Sequence, residues 1–433
     1  MENKKDIFKL LIKEFQELKL PEIKERDLKL PENTNKIITI TGSRRVGKTY
    51  YFYQLIQNFK EKIPIERIVY INFEDDRLFP LKLDDLNTLI EAYFELYPEN
   101  KNKEIYLFFD EIQNIKNWEL FVRRIYDKEK VKIFITGSSS KLLSREIATS
   151  LRGRTLNYEL YPLSFKEFLH FKNVKIDKDF IYTAKRFQVK KLFEEYLVFG
   201  GFPEVVLEKE NLKLALLKNY YDLTIYRDLV ERFSIRNLDF LKLLIKYLLT
   251  NISNLFSANA FYRSLEKSLK PARETFLEYL SYLEEIELIF FVPLFSYSLK
   301  VQQVNPKKIY AIDNGLRNAV SFIFSQNYGR LLENLVFVEL KKRGNEVYYY
   351  KGKRECDFLI KEGPKISQAI QVVENLNKEN TKREIEGLAE VMEKFNLNQG
   401  FILTKDDERE IKVNLKKKIV KIKTAPIWKW LLI

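Results

Sequence analysis

Ile37-Ile38-Thr39-Ile40-Thr41-Gly42-Ser43-Arg44-Arg45-Val46-Gly47-Lys48-Thr49 runs an apolar, β-branched strand into a glycine-pinched loop of the form GxxxxGKT, and a helix-forming stretch starts at Tyr50. Strand, loop and helix in that order make a phosphate cradle. Backbone N–H groups of the loop and the helix N-terminus face the anion, where the helix dipole favours negative charge. Gly42, Ser43, Arg44, Arg45, Val46 and Gly47 supply the cradle, Lys48 adds a point charge, and Thr49 offers a hydroxyl to Mg2+. The stretch predicts an α/β P-loop fold on a parallel sheet, with ATP and Mg2+ as cofactors.

Further buried strands follow at Arg67-Ile68-Val69-Tyr70-Ile71-Asn72-Phe73 and at Ile105-Tyr106-Leu107-Phe108-Phe109, the second ending in Asp110-Glu111. An apolar strand closed by two carboxylates is a Walker B pattern. Asp110 is placed to hold the Mg2+ hydration shell, and Glu111 to orient and deprotonate an attacking water. Glu111 thus predicts hydrolysis and not binding alone. A fourth strand, Val131-Lys132-Ile133-Phe134-Ile135, leads into Thr136-Gly137-Ser138-Ser139-Ser140, at the sheet edge where ligands bind. A polar residue there senses the γ-phosphate; Ser138 is the first candidate, with Thr136 and Ser139 next. Leu151-Arg152-Gly153-Arg154 brackets a glycine with two arginines. Arg152 or Arg154 is expected to stabilise charge on the transferring phosphoryl group, from a neighbouring subunit in preference to its own, which predicts a homo-oligomer in the active state. Arg44 and Arg45 are alternative candidates to face phosphate or nucleic acid.

The 433 residues leave room for about three compact units. Hydrophobic residues make up 45% and aromatic ones 14%, which argues against disorder, and no run of 18 apolar residues occurs, so no membrane partner is expected. Cys356 is the only cysteine and the N-terminal stretch has no signal-segment pattern, from which a cytoplasmic location is expected. His170 is the only histidine, which excludes a Cys/His zinc site and a Cys-His catalytic pair. A net charge of +14 is attractive to DNA or another nucleic acid, although lysine-rich and glutamate-rich composition accounts for it equally well.

The loop Gly42–Thr49, Tyr70-Ile71-Asn72-Phe73-Glu74-Asp75, Phe109-Asp110-Glu111-Ile112-Gln113, Leu151-Arg152-Gly153-Arg154 and Pro162-Leu163-Ser164-Phe165 together resemble the archaeal and bacterial AAA+-type ATPases that carry a C-terminal restriction-endonuclease-like domain. The resemblance covers essentially the whole chain, with Ser43 standing where that family usually has proline. It implies an ATPase core over 1–163, a helical lid over 164–237 and a restriction-endonuclease-like α/β domain over 325–433. Phe199-Gly200-Gly201-Phe202-Pro203 reads as a turn whose family counterpart sits in the lid. Between these, residues 238–318 read as helix, turn, helix and strands, a winged-helix layout, with Lys270 and Arg273 as candidates to face a major groove. Phe276, Leu277, Leu280, Leu283 and Ile286 form the apolar face of its second helix. That module either binds DNA or packs between domains, since five glutamates on and just after the second helix repel phosphates.

In the nuclease-like part, Glu333 on a helix and Asp357 on a strand stand where the resemblance implies metal-binding acids. The following motif reads Gln371-Val372-Val373 in place of an acid, a spacer and a lysine. Glutamine brings no charge and valine nothing for a water. Glu333, Asp357 and Gln371 are therefore expected to form a degenerate site, either without cleavage or with another residue in the lysine's place. Three outputs stay open: ATP-driven conformational switching on nucleic acid, an ATP-gated nuclease, and a signalling ATPase that recognises a protein partner.

Overall fold

Ile37–Thr41 (β1), Ile68–Asn72 (β2), Ile105–Asp110 (β3), Val131–Gly137 (β4) and Thr155–Glu159 (β5) pair side by side, all parallel, in the order β2-β3-β4-β1-β5 in a computed structural model of the chain. The structure describes residues 3–31, 34–137, 151–177, 179–321, 328–415 and 418–432. They fall into two compact units, residues 1–161 and 162–433. β1 and β3 are buried along their whole length, which is why they read as unbroken apolar runs: a parallel sheet is covered on both faces. Lys4–Glu17 (α1), Lys48–Lys60 (α2), Leu83–Leu96 (α3) and Trp118–Lys128 (α4) provide the cover. α1 starts at Asn3, whose side chain accepts the Lys5 N–H, and turns Phe8, Ile12 and Phe15 inward at helical spacing. Phe8 and Ile12 join Leu86, Leu89 and Tyr93 of α3 and Val69, Ile71, Leu107 and Phe109 of the sheet in one core. Because the strands are parallel, the ends of β1, β3 and β4 reach the same edge, with Ile40 opposite Thr136 and Asn72 opposite Asp110.

The second unit opens with helices, among them Phe165–Phe171, Lys185–Phe199, Pro203–Leu207 and Glu210–Leu223. Gly200 closes Lys185–Phe199 at φ 73° and Pro203 opens the next helix. The break does more than turn the chain. The Gly201 N–H donates to Asp313 Oδ2 at 2.7 Å, and Asp313 Oδ1 accepts the Leu316 N–H at 3.0 Å. A Cβ on Gly201 would stand 2.5 Å from the Leu163 carbonyl oxygen, so the glycine is required by close approach. Tyr226-Arg227-Asp228 lies in a π-helical stretch, Thr224–Glu231, where Arg227 pairs with Glu231.

Leu255–Phe256 (β6), Ile289–Val292 (β7) and Lys307–Ala311 (β8) form an antiparallel sheet in the order β6-β8-β7. Between β6 and β7 run the helices Ala258–Ser264, capped by Ser257, and Arg273–Glu285. Of the expected apolar face of the latter, Phe276, Leu280, Leu283 and Ile286 are buried, but Leu277 is exposed and Tyr279 is buried instead. The last sheet is mixed: Glu346–Lys351 (β9), Glu355–Glu362 (β10), Lys365–Val372 (β11), Gln399–Thr404 (β12), Arg409–Asn414 (β13) and Ile419–Pro426 (β14), ordered β13-β14-β12-β11-β10-β9. Helix Thr381–Lys394 packs Leu388, Val391 and Met392 onto it, while helix Tyr328–Lys342 packs against β8, β9 and β11. No helix among the described residues is long and apolar enough to cross a membrane.

Candidate nucleotide site

The loop after β1 has the backbone a phosphate cradle needs. Gly42, Arg45 and Gly47 take φ of 149°, 67° and 95°, and Gly47 is the N-cap of α2. A Cβ at Gly42 would lie 2.2 Å from the Leu160 carbonyl oxygen, so only glycine fits there. Val46 is fully buried, and its carbonyl accepts the Arg26 guanidinium at 2.7 Å while the same side chain donates to the Tyr161 carbonyl at 2.7 Å. Arg26 is itself held on α2, its N–H donating to Gln54 Oε1 at 2.9 Å. This buried arginine clamps the loop from behind. Nothing local in the sequence signals it, because both carbonyls it meets belong to distant segments.

Lys48 Nζ donates to the carbonyls of Gly42 (3.1 Å) and Ser43 (3.3 Å) and stands 3.5 Å from Glu111 Oε1. Thr49 Oγ1 donates to Asp110 Oδ2 at 2.7 Å, and the Tyr70 hydroxyl donates to the same oxygen at 2.9 Å. The Thr136 hydroxyl donates to Asp110 Oδ1 and accepts the Glu111 N–H at 3.0 Å. Burial pushes the Asp110 carboxyl above its ordinary range and Glu111 adds to it, against the hydroxyls of Thr136, Thr49 and Tyr70. A divalent cation relieves that penalty, and a hydroxyl beside a carboxylate at a strand end suits a hard, hydrated ion such as Mg2+. Glu111 sits at φ 55°, a left-handed conformation that turns it out of the strand beside Lys48. Gln113 Nε2 donates to Glu111 Oε2. The Ser43 hydroxyl is buried without a hydrogen-bond partner among the described residues; an anion in the cradle would satisfy it. The residues fit a nucleoside triphosphate and its metal.

Comparison with known proteins agrees. An AAA domain matches residues 34–169 and a domain of unknown function matches 190–327. The uncharacterized protein MJ1544 of Methanocaldococcus jannaschii is 42% identical over 441 residues, covering 99% of this chain and 96% of its own. The chain belongs to that family of AAA-domain proteins. An uncharacterized Haemophilus influenzae protein is 33% identical over 79% of this chain and 85% of its own. Among solved structures, the Aeropyrum pernix ORC1 protein in complex with DNA covers 73% of this chain and 91% of its own at 11% identity and a TM-score of 0.32; Caenorhabditis elegans PCH-2 covers 65% and 66% at 12% and 0.25. The chain is an α/β P-loop protein of the AAA+ type, with the nucleotide-binding core that the family implies.

Other residues expected at this site are placed less centrally. Ser138 lies outside the described residues, as do Ser139 and Ser140; Thr136 occupies the edge position between Asp110 and Glu111. Arg152 and Arg154 precede β5, whose start pairs with the start of β1: the Ile37 N–H donates to the Arg154 carbonyl at 2.9 Å. That is the sheet edge opposite the loop, about five residues or roughly 16 Å of strand away. Neither arginine reaches its own chain's phosphate cradle. Arg152 is exposed, while Arg154 binds Asp127 through two contacts of 2.9 and 3.1 Å. Arg44 pairs with Glu74 at 3.3 Å, and Arg45 is exposed.

Glu333, Asp357 and Gln371 are brought together in the second unit, with a residue that sequence reading did not single out. Lys308 of β8 is 2% exposed and its Nζ lies 2.7 Å from Asp357 Oδ1, 2.9 Å from Glu355 Oε1 and 3.1 Å from Glu333 Oε1. Burial pulls the Lys308 ammonium down, but Asp357 and Glu333 outweigh it and hold its pKa well above the ordinary value. Burial, reinforced by Asp357, pushes the Glu333 carboxyl up to about 7. The one signal in the sequence is the period of two, which puts Lys308 on the same face of β8 as the buried Tyr310.

Proposed function

We propose that the chain is a Mg2+-dependent ATPase whose hydrolysis drives conformational switching on nucleic acid. The observation that carries it is the continuous chain Thr49–Asp110–Thr136–Glu111 beside Lys48. Thr49 and Asp110 would hold the metal, which supplies charge neutralisation at the transferring phosphoryl group. Loop N–H groups and Lys48 bind the phosphates and keep them in place against the attacking water. Glu111 takes the proton from that water, with Lys48 and Gln113 fixing the carboxylate. Thr136 fixes the Glu111 backbone through its N–H and Asp110 through its carboxylate, so that acid and metal ligand move as one.

The net charge of +14 and the succession of two helices and a small antiparallel sheet over 255–311 support the nucleic-acid part, as a winged-helix-like module would. Arg273, at the start of the second helix, donates to Asn259 Oδ1 at 2.9 Å, and Lys270 lies 4.5 Å over the Tyr262 ring; both remain at the module's surface. Arg152, exposed and out of reach of its own phosphate cradle, suits a finger that acts on a neighbouring subunit, hence a homo-oligomer. A protein partner for the second unit is the competing reading. The test is ATP hydrolysis with and without Mg2+ and with double- or single-stranded DNA, by wild type and Glu111→Gln. Hydrolysis that requires Mg2+, rises with DNA and falls by about 10²–10³-fold in Glu111→Gln is expected. Hydrolysis that persists both without Mg2+ and in Glu111→Gln refutes this ATPase mechanism, and indifference to DNA transfers the output to a protein partner.

A further inference from the structure

The resemblance to restriction-endonuclease-like domains implies a divalent metal on Glu333, Asp357 and Gln371, and the geometry there does not fit one. Three carboxylate oxygens, from helix Tyr328–Lys342 and from β10, converge on a single point, and the Lys308 ammonium of β8 occupies it at 2.7–3.1 Å. The other donors are committed elsewhere. Asp357 Oδ2 accepts the Val372 N–H at 2.8 Å. Gln371 Oε1 accepts the Asp357 N–H at 3.1 Å, and its amide donates to Glu384 Oε2 at 2.8 Å. Glu333 Oε1 also accepts the Tyr310 hydroxyl at 2.6 Å. A hard divalent ion needs about six oxygens at roughly 2.0–2.6 Å, and here it would have to sit on the ammonium.

We infer that Lys308 is the resident cation of this carboxylate cluster: its ammonium takes the place a metal would hold, pins β8 of the small sheet to β10 and to helix Tyr328–Lys342, and makes the C-terminal sheet a metal-independent module that does not cleave. An ammonium tethered to a strand differs from a metal in one way that matters for function. It cannot polarise a phosphate or bind a water as a Lewis acid, but it transmits position, because withdrawing β8 would strip the buried Asp357, the largely buried Glu333 and the half-exposed Glu355 of their shared counter-charge. The cluster is therefore a mechanical joint between two sheets of the same unit.

Mn2+ uptake by the full chain, followed by electron paramagnetic resonance in the absence of nucleotide, tests this. Wild type and Asp357→Asn are expected to take up equal amounts of Mn2+, because the acid is already occupied. Lys308→Met is expected to melt about 10 °C lower, to gain one Mn2+ per chain, and to lose it again when Asp357→Asn is added. Wild type binding one Mn2+ more than Asp357→Asn overturns the inference, as does a folded Lys308→Met chain that gains none. Should Lys308→Met fail to fold, the wild-type comparison decides alone. Plasmid nicking by wild type with Mn2+, abolished by Asp357→Asn, overturns it too.

Discussion

Thr136 carries more of the nucleotide site than its runner-up place in the sequence suggested. Its hydroxyl is donor to one carboxylate and acceptor for the backbone of the other, a double duty that valine, of the same shape, cannot perform. Thr136→Val leaves the buried Glu111 N–H and one Asp110 oxygen unsatisfied, at a cost of about 1–3 kcal/mol each. Phosphate binding by the loop is untouched. The expected result is a fall in kcat of about 10–100-fold with KM for ATP nearly unchanged, since the interaction lost serves the reacting geometry and not the bound ground state; steady-state kinetics checks it, and a rise in KM with kcat preserved refutes it. Glycines, lysine, threonine and the two acids were legible because their chemistry lies in local spacing. Arg26 was not: its partners are 20 and 135 residues away, and a single arginine before a strand reads as surface.

At the level of elements, strands were legible wherever burial is two-sided, as in β1 and β3, and helix faces wherever the spacing is regular. The exchange of Leu277 for Tyr279 shows where that fails. Both belong to the same helix, and only the neighbouring helices decide which one is covered; the Tyr279 hydroxyl accepts the Asn237 N–H at 3.3 Å. Gly200-Gly201 was legible as a turn, while its purpose was not, because Asp313 lies 112 residues on. That purpose makes a prediction. Gly201→Ala forces a Cβ to 2.5 Å from the Leu163 carbonyl, and Gly201 must then shift off Asp313, a carboxylate that burial already holds above its ordinary pKa. A loss of about 2–3 kcal/mol in urea denaturation is expected, against about 1 kcal/mol for an alanine at Gly363, whose Cβ would meet open space and whose φ of 58° supplies the whole of that cost; equal effects at the two positions would show that close approach is not what the glycine serves.

Across the whole molecule the two carboxylate clusters follow opposite logics. Asp110 and Glu111 are buried at the end of their strand with hydroxyls around Asp110 and the Lys48 ammonium on Glu111 alone, a setting that can accept a cation. Glu333, Glu355 and Asp357 are closed around the Lys308 ammonium, with Tyr310 behind, so one positive charge faces three acids. The excess falls on Glu333. Glu333 has an ordinary value of 4.5 and stands at about 7 in the fold, through burial first and Asp357 second. Between these two values the folded chain holds a proton that the unfolded chain has lost. Stability contributed by this group is therefore complete below about pH 4.5 and is lost as pH rises through 7. Glutamine keeps the oxygen that Lys308 and Tyr310 use and removes the titration, so Glu333→Gln is expected to gain on wild type by ~1–3 kcal/mol between pH 5 and pH 8 in paired urea denaturations. The sign separates this cluster from a metal site: carboxylates that bind a metal lose it on acidification, and their fold weakens as pH falls. A stability difference that stays flat over this range would mean that Glu333 is ionised in the fold and that Lys308 alone suffices to neutralise it.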